Sequence, residues 1–366
     1  MFTIEMLPAA HGDCLWIEYG RRSNPSVLLI DGGPPSNLTV AQLRGRIDAR
    51  LPRGGGGGGE NGGAELLVVT HIDADHIAGV LRLLDEPGRV PFADVWFNGW
   101  DHLPQDELGS RQGEALSAAI RRRRLPWNSA FDGAAVLAPA DGPLPVVDLP
   151  GGMTLTLLSP TRAELAALRP VWEREVRAAG MVPGQPAGEE PGEEPPAPPD
   201  LLGGGPLDVD AMAAEPFETD HSRANAASIA FLAEHDGRSL LLTGDASADV
   251  LAAGLRRLAA ERGVDRVPVD AFKLSHHGSR YNLSAELLEL LDCGRFLVST
   301  NGRRFHHPDA VALSRIVGDD RRSGAELSFN YRTPDNEVWD SSRLRRRHGY
   351  TTCYPPDGED GLVVEL

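Results

Sequence analysis

The stretch Thr70-His71-Ile72-Asp73-Ala74-Asp75-His76-Ile77-Ala78-Gly79 constrains this chain more than any other. Four side chains able to bind a cation, His71, Asp73, Asp75 and His76, fall within six positions. They follow the apolar run Leu66-Leu67-Val68-Val69, which reads as a buried strand, and precede Ile77 to Leu84, which reads as the first turns of a helix. The cluster is therefore expected on a strand-to-helix loop, where one short segment can converge on a point. In an extended loop His71, Asp73 and Asp75 share parity and face the same way. Imidazole with carboxylate is a donor set for zinc, manganese or iron rather than for a soft metal alone. A helix-capping Asp beside incidental histidines would explain a lone Asp-His pair; four such residues in this setting favour a metal loop.

The chain's 366 residues can bury one large core or two ordinary ones, and 41% hydrophobic with 24% charged residues is the balance of a soluble globular protein. A formal net charge of −17 argues against holding nucleic acid by surface charge alone. Three scattered cysteines, Cys14, Cys293 and Cys353, make neither a disulfide framework nor a CxxC metal site and suit a reducing cytoplasm. Met1 to Met6 lacks the pattern of a signal peptide, and no apolar stretch is long enough to span a membrane. A cytoplasmic location is expected.

The HxDxDH pattern resembles the HxHxDH signature of the metallo-β-lactamase-fold hydrolases, in the variant whose second His is Asp. Written out as THxDxDHIxG, it resembles the branch containing the DNA-uptake competence nucleases and the phosphorylcholine esterases. The resemblance implies an αββα sandwich with a hydrolytic site at the sheet edges. Asp31-Gly32-Gly33 after the strand Ser26 to Ile30 matches the family's first motif, in which the Asp supports the metal loop. The alternative for Asp31 is a turn residue bonded to its own backbone. Gly12-Asp13 resembles the hairpin that opens the competence branch. Asn225 to Ser228, then a hairpin at His235-Asp236-Gly237 and Leu241-Leu242-Thr243-Gly244-Asp245, resembles that branch again. Asp245 would then bridge two metals; otherwise it caps the next helix. In Lys273-Leu274-Ser275-His276-His277-Gly278-Ser279 the resemblance makes His277 the ligand, with His276 packing or hydrogen-bonding nearby and Lys273 and Asn225 supporting the site or meeting substrate. His307-Pro308 matches a late element, so His307 either contacts a phosphate, donates a proton to the leaving group or caps helix 309–317.

Elsewhere, Phe2 to Met6, Cys14 to Tyr19, Val90 to Trp96, Met153 to Ser159, Val267 to Phe272 and Arg295 to Ser299 read as strands. Asn225 to Leu232 is read as opening another. Ala41 to Leu51 and Ser110 to Arg124 read as helices, the second ending in a basic run expected to be a solvated face. Thr161-Arg162-Ala163-Glu164 reads as a capping box. Trp100 and His102 either line the pocket or sit on a surface loop. Gly54 to Gly59 is expected to be a flexible link, and the Pro/Glu-rich segment 183–206 a disordered insertion within a single domain spanning 1–366. From about 319 the tail is expected to add short strands and a basic loop, Arg343 to His348, outside the core pattern.

The resemblance implies two divalent ions, zinc or manganese. His71, Asp73 and Asp245 would hold one; Asp75, His76, Asp245 and His277 the other. Two ions roughly 3.5–4 Å apart can hold a bridging hydroxide and clamp an in-line phosphoryl displacement, with Asp75, Asp245 and His307 closest to the chemistry. Many fold members have a further histidine before the bridging Asp, whereas this region offers His221 and Asn225, leaving the first ion under-ligated. Asp73 in place of His favours a harder ion. The expected function is a two-metal phosphodiesterase or nuclease, with DNA as the leading substrate. The alternatives are a thioester, lactone or lactam hydrolase of the same fold, or a catalytically silent metal-binding module held by a protein partner in a multi-component system.

Overall fold

Consecutive apolar residues, rather than alternating ones, fill the central strands, because these strands are covered on both faces. In the computed structural model, which describes residues 1–50, 64–85, 92–104, 111–178 and 207–366, Leu66 and Val68 face a second sheet while Leu67 and Val69 face helices. The glycine run 54–59 and the insertion 183–206 lie outside the described residues. Leu28 and Leu29, and Leu240 and Leu241, divide between the two faces in the same way, as the two-residue period of a strand requires.

The first sheet has six strands in the order Leu362–Glu365, Phe2–Met6, Leu15–Arg21, Asn24–Ile30, Ala64–Val68 and Phe92–Trp96. Its last three strands run parallel and the others antiparallel. The second sheet has eight, in the order Thr351–Cys353, Glu326–Phe329, Arg295–Val298, Ala271–Lys273, Arg238–Leu242, Ala230–His235, Met153–Ser159 and Val146–Leu149. The first five of these run parallel. One core lies between the sheets, with Ile4, Ile17 and Leu28 from one against Leu155, Phe231 and Leu240 from the other. Helices Asn37–Arg50, Ala74–Asp85 and Arg111–Arg123 cover the outside of the first sheet through residues such as Leu43, Ile77, Leu84 and Ile120. Helices Ala248–Arg262 and Ala310–Val317 cover the outside of the second through Leu251, Leu255, Leu313 and Ile316. This is the αββα metallo-β-lactamase sandwich expected from the sequence.

Several sequence expectations change. The helix after the metal loop begins at Ala74, three residues earlier than Ile77, because His76 and Ile77 both donate backbone N–H groups to the Asp73 carbonyl. Asn225 lies in the single helical turn Arg223–Ala226, and the strand starts only at Ala230. The expected strand 267–272 is two short strands, Val267–Val269 and Ala271–Lys273, and the first pairs with Leu291–Cys293 instead of the main sheet. The expected basic loop is the helix Ser342–His348, whose Arg345 and Arg347 pair with Asp340 and Asp210. The tail is integral to the sandwich: it supplies edge strands to both sheets, and Trp339 and Tyr350 join the outer core. Two expectations hold: the Thr161 N–H donates to Glu164 at 2.8 Å, and Arg121 and Arg122 pair with Asp101 and Asp85 on an exposed face. Among the described residues no helix is long and apolar enough to cross a membrane.

Candidate metal centre

The carboxyl ends of parallel strands open into loops at one rim of each sheet, where open α/β sheets place their ligands. Here Asn24–Ile30 leads to Asp31, Ala64–Val68 to His71, Arg238–Leu242 to Asp245, Ala271–Lys273 to His277 and Arg295–Val298 to Ser299. The loop after Ala64–Val68 is fastened by Asp31. One carboxylate oxygen accepts the Thr70 N–H at 2.8 Å; the other accepts the Thr70 hydroxyl at 2.7 Å and lies 2.8 Å from His76 Nδ1. The two loops touch through backbone, Gly32 N–H to the His76 carbonyl at 2.8 Å and Gly79 N–H to the Gly33 carbonyl at 2.9 Å. A Cβ at Gly79 would fall 1.8 Å from the Gly32 carbonyl oxygen, so glycine is required where the helix meets the Asp-Gly-Gly turn. The parity argument for this segment is corrected: Asp75 and His76 stand on the first turn of a helix, and only His71 and Asp73 lie before it.

The imidazoles converge on Asp245. Its Oδ2 lies 3.3 Å from His76 Nε2, 3.8 Å from His71 Nε2 and 3.9 Å from His277 Nε2. Among the described residues, two tight groupings can hold a metal ion: His71, His76 and Asp245, here the outer position, and Asp75, His76 and His277, here the inner position. His76 contributes to both groupings, whereas the sequence reading placed it with one ion only. Asp73 Oδ2 is 3.5 Å from His71 Nε2, and its side chain is 43% exposed, so it borders the outer position from the solvent side. His71, His76 and His277 each carry a buried Nε2 with no hydrogen-bond partner among the described residues, as does Asp245 Oδ1. Such orphaned groups cost stability unless a cation satisfies them, and imidazole with carboxylate fits a divalent ion. Each Nδ1 is tied back: His71 to the Thr70 hydroxyl at 3.0 Å, His76 to Asp31, and His277 to the Ser299 carbonyl at 2.8 Å. Fixing Nδ1 in this way aims Nε2.

The electrostatics agree. Burial disfavours charge on Asp245, but the surrounding His76, His276 and His277 outweigh it and hold its pKa well below the usual carboxylate range. Burial likewise opposes charge on His76, yet Asp245, Asp31 and Asp75 keep its pKa well above the ordinary value. The same balance, led by Asp245 and Asp13, raises His277.

Behind the inner position lies a pair that the sequence did not expose. Lys273 and Asp13 are wholly buried and joined at 2.8 Å, and Asp13 Oδ1 stands 3.6 Å from His277 Nδ1. Lys273 is thus a buried counter-charge: of the two roles expected for it, supporting the site and meeting substrate, its burial fits the first. Gly12-Asp13 was its only sequence signal, and a Cβ at Gly12 would fall 1.8 Å from the Asp75 carbonyl oxygen, which shows how closely that hairpin presses on the metal loop. The Asn-x-x-Ser element divides its work: Asn225 Nδ2 donates to Asp220 at 2.7 Å and lies 3.3 Å from His276 Nδ1, while the Ser228 hydroxyl accepts the Asp245 N–H at 3.3 Å. Asp220 and Asn282 also back His276, and nothing in the sequence pattern marked either. His221 is exposed, so it does not supply the missing histidine.

His307 stands beside the cluster, its ring 5.4 Å from that of His276. Phe305 stacks on His307 at 6.1 Å and meets His11 edge-on at 5.9 Å, and Arg304 lies over the Phe305 ring and 3.3 Å from His11 Nε2. These four residues form an arc of basic and aromatic groups. Burial lowers the pKa of both His11 and His307, which favours their neutral forms. Trp100 and His102 belong elsewhere: Trp100 is buried under Arg169 at 3.7 Å, and His102 packs on Trp127 at 4.6 Å.

No protein-family model and no curated protein sequence matches the chain. Among solved structures, CmlA, a diiron β-hydroxylase from Streptomyces venezuelae, aligns over 100% of this chain and 54% of its own at 13% identity with a TM-score of 0.40. The chain spans about half the length of that protein. Zn2+-bound PqqB from Methylobacterium extorquens aligns over 100% of both chains at 13% identity with a TM-score of 0.40. The metallo-β-lactamase fold protein YhfI from Bacillus subtilis aligns over 100% of both chains at 11% identity with a TM-score of 0.38.

Proposed function

We propose that this protein is a hydrolase that uses two divalent cations, zinc or manganese, to cleave a phosphodiester, with DNA as the leading substrate. The observation that carries the reading is the set of three buried, partnerless Nε2 atoms of His71, His76 and His277 gathered around the Asp245 carboxylate. Asp75, His76, His277 and Asp245 would hold one cation, and His71, Asp73 and Asp245 the other. Bound there, the cations supply an activated water and neutralise charge developing on the phosphoryl oxygens.

The chain's own residues do the rest. Asp245, held well below the ordinary pKa range, stays ionised and keeps both positions electronegative. Asp31, Ser299 and the Asp13–Lys273 pair fix the imidazoles so that their donor atoms need no reorganisation. The arc of His11, Arg304, Phe305 and His307 supports an anionic substrate carrying a flat ring. In a chain of net charge −17 it sets basic groups beside the cluster, with an aromatic face on which a base can stack. His307, beside the cluster, would donate a hydrogen bond to a non-bridging oxygen as the neutral imidazole, or in its protonated form give a proton to the leaving oxygen.

The test is turnover of a chromogenic phosphodiester by chelator-stripped protein re-supplied with zinc or manganese, beside Asp245→Ala. Metal-dependent turnover lost in the variant is expected. A protein inert toward phosphodiesters but active on a thioester, lactone or lactam would replace this reading with another hydrolase of the fold.

A further inference from the structure

The adjacent histidines of the Ser-His-His-Gly turn do not divide the work in the way that their position on a strand end would suggest. On extended backbone, neighbouring side chains point to opposite faces. Here His276 and His277 both adopt left-handed backbone, with φ of 47° and 57°, a conformation that non-glycine residues rarely take and that is costly unless the surroundings enforce it. The consequence is that both rings turn toward Asp245: His276 Nε2 lies 3.8 Å from Asp245 Oδ2 and His277 Nε2 lies 3.9 Å from the same oxygen. His276 Nδ1 is tied back by two acceptors, Asn282 Oδ1 at 3.1 Å and Asp220 Oδ2 at 3.4 Å, and Asn225 Nδ2 in turn donates to Asp220. A carboxylate and an amide behind Nδ1, with Nε2 aimed at a shared carboxylate, is how proteins orient a ligating histidine. Two donors that share one ion at ordinary bond lengths lie roughly 3–4 Å apart, which the 3.8 Å between His276 Nε2 and Asp245 Oδ2 satisfies.

We propose that His276 is a cation ligand in its own right, completing the outer position with His71, Asp73 and Asp245. His276 and His277 then serve different ions from one turn. The proposal rests on the two-cation reading above. It also assigns Asp220 as a positioning residue that acts through His276. With two imidazoles and two carboxylates the outer position suits zinc or cobalt as well as manganese.

The experiment is metal titration of the chelator-stripped full chain with Zn2+ by calorimetry and with Co2+ by visible absorption, which reads the donor set of the bound ion directly. The wild-type chain is expected to bind two ions. His276→Ala should retain the inner ion and lose the outer one, or bind it roughly 10–100-fold more weakly, with the cobalt band of the outer ion lost or shifted. Asp220→Asn, which leaves the imidazole in place, should keep two ions with the outer affinity lowered about 10-fold, and it carries the test if His276→Ala does not fold. Two ions bound with unchanged affinities and an unchanged cobalt spectrum in either folded variant would overturn the assignment of His276 while leaving the two-cation reading intact. A wild-type chain that binds no ion would overturn both.

Discussion

As proposed, the inner and outer cation positions share Asp245 yet are built differently. Both imidazoles of the inner position are backed by a buried group: His76 by Asp31, and His277 by the Ser299 carbonyl with the Asp13–Lys273 pair behind it. Beside the shared and buried Asp245, the outer position has the fully buried His71 and borders solvent through Asp73 and His276, whose side chains are 43% and 26% exposed. Donors fixed by packing lose little freedom when an ion arrives, whereas exposed ones must be ordered by it. The difference teaches that a binuclear site need not bind its two ions equally: the inner position should hold its ion tightly and the outer should exchange.

The largest break in that comparison comes from the buried pair. Lys273→Met leaves Asp13 as a buried charge without its partner and should cost about 3–5 kcal/mol in denaturant unfolding. The double variant Lys273→Met with Asp13→Leu should recover much of that stability while the inner ion still binds more weakly. A double variant with wild-type metal affinity would show that the pair only fills space. Next, His277→Ala, which removes a donor that the inner position alone uses, should weaken the inner ion by about 10-fold or more in calorimetric titration and leave the affinity of the outer ion nearer its wild-type value. An equal loss at both positions would remove the distinction.

pH sharpens the comparison further. In the metal-free protein burial opposes charge on His276, but Asp245 and Asp220 overcome it and lift its pKa to about 9; His76 and His277 are raised as well. A histidine raised on folding stabilises the native state fully below its unfolded pKa, near 6.5, and that contribution is lost as pH climbs through the folded value. The unfolding temperature of stripped protein should therefore fall between about pH 6.5 and pH 9. With metal present the slope should reverse over the lower part of that range, because the cation replaces the protons and binds better as they leave. Parallel slopes with and without metal would mean that the imidazoles are not the ligands. The smallest effect is expected farthest from the site: Arg347→Ala, which breaks an exposed pair with Asp210, should change stability by under about 1 kcal/mol and leave turnover unchanged.

Much of the site was legible because its parts are local. A strand followed by Asp-Gly-Gly, by His-x-Asp-x-Asp-His, by Thr-Gly-Asp or by Ser-His-His-Gly states both the residue type and its place at a strand end, and the structure brings Asp31, His71, His76, Asp245 and His277 together from those places. The legible part failed where it relied on an assumed backbone. Parity explained His71, Asp73 and Asp75 in an extended loop, but the helix starts at Ala74 and carries Asp75 on its first turn. For Lys273 the two roles, supporting the site and meeting substrate, stayed open, because nothing nearby in sequence announced Asp13, which lies 260 positions away.

The sequence by itself determined the layered architecture and the chemistry of the donors. Strands with both faces apolar must be covered on both sides, and histidine and aspartate at strand ends must cluster at one rim of the sheets. The tertiary structure alone decided which donors group together, which charges are buried and which groups stand behind each imidazole. The physical reason is that a side chain's direction follows its backbone dihedrals, and the left-handed turn at His276 and His277 aims both rings while groups such as Asp220, Asn282 and Ser299 hold them. Such constraints come from distant parts of the chain, where no local pattern records them.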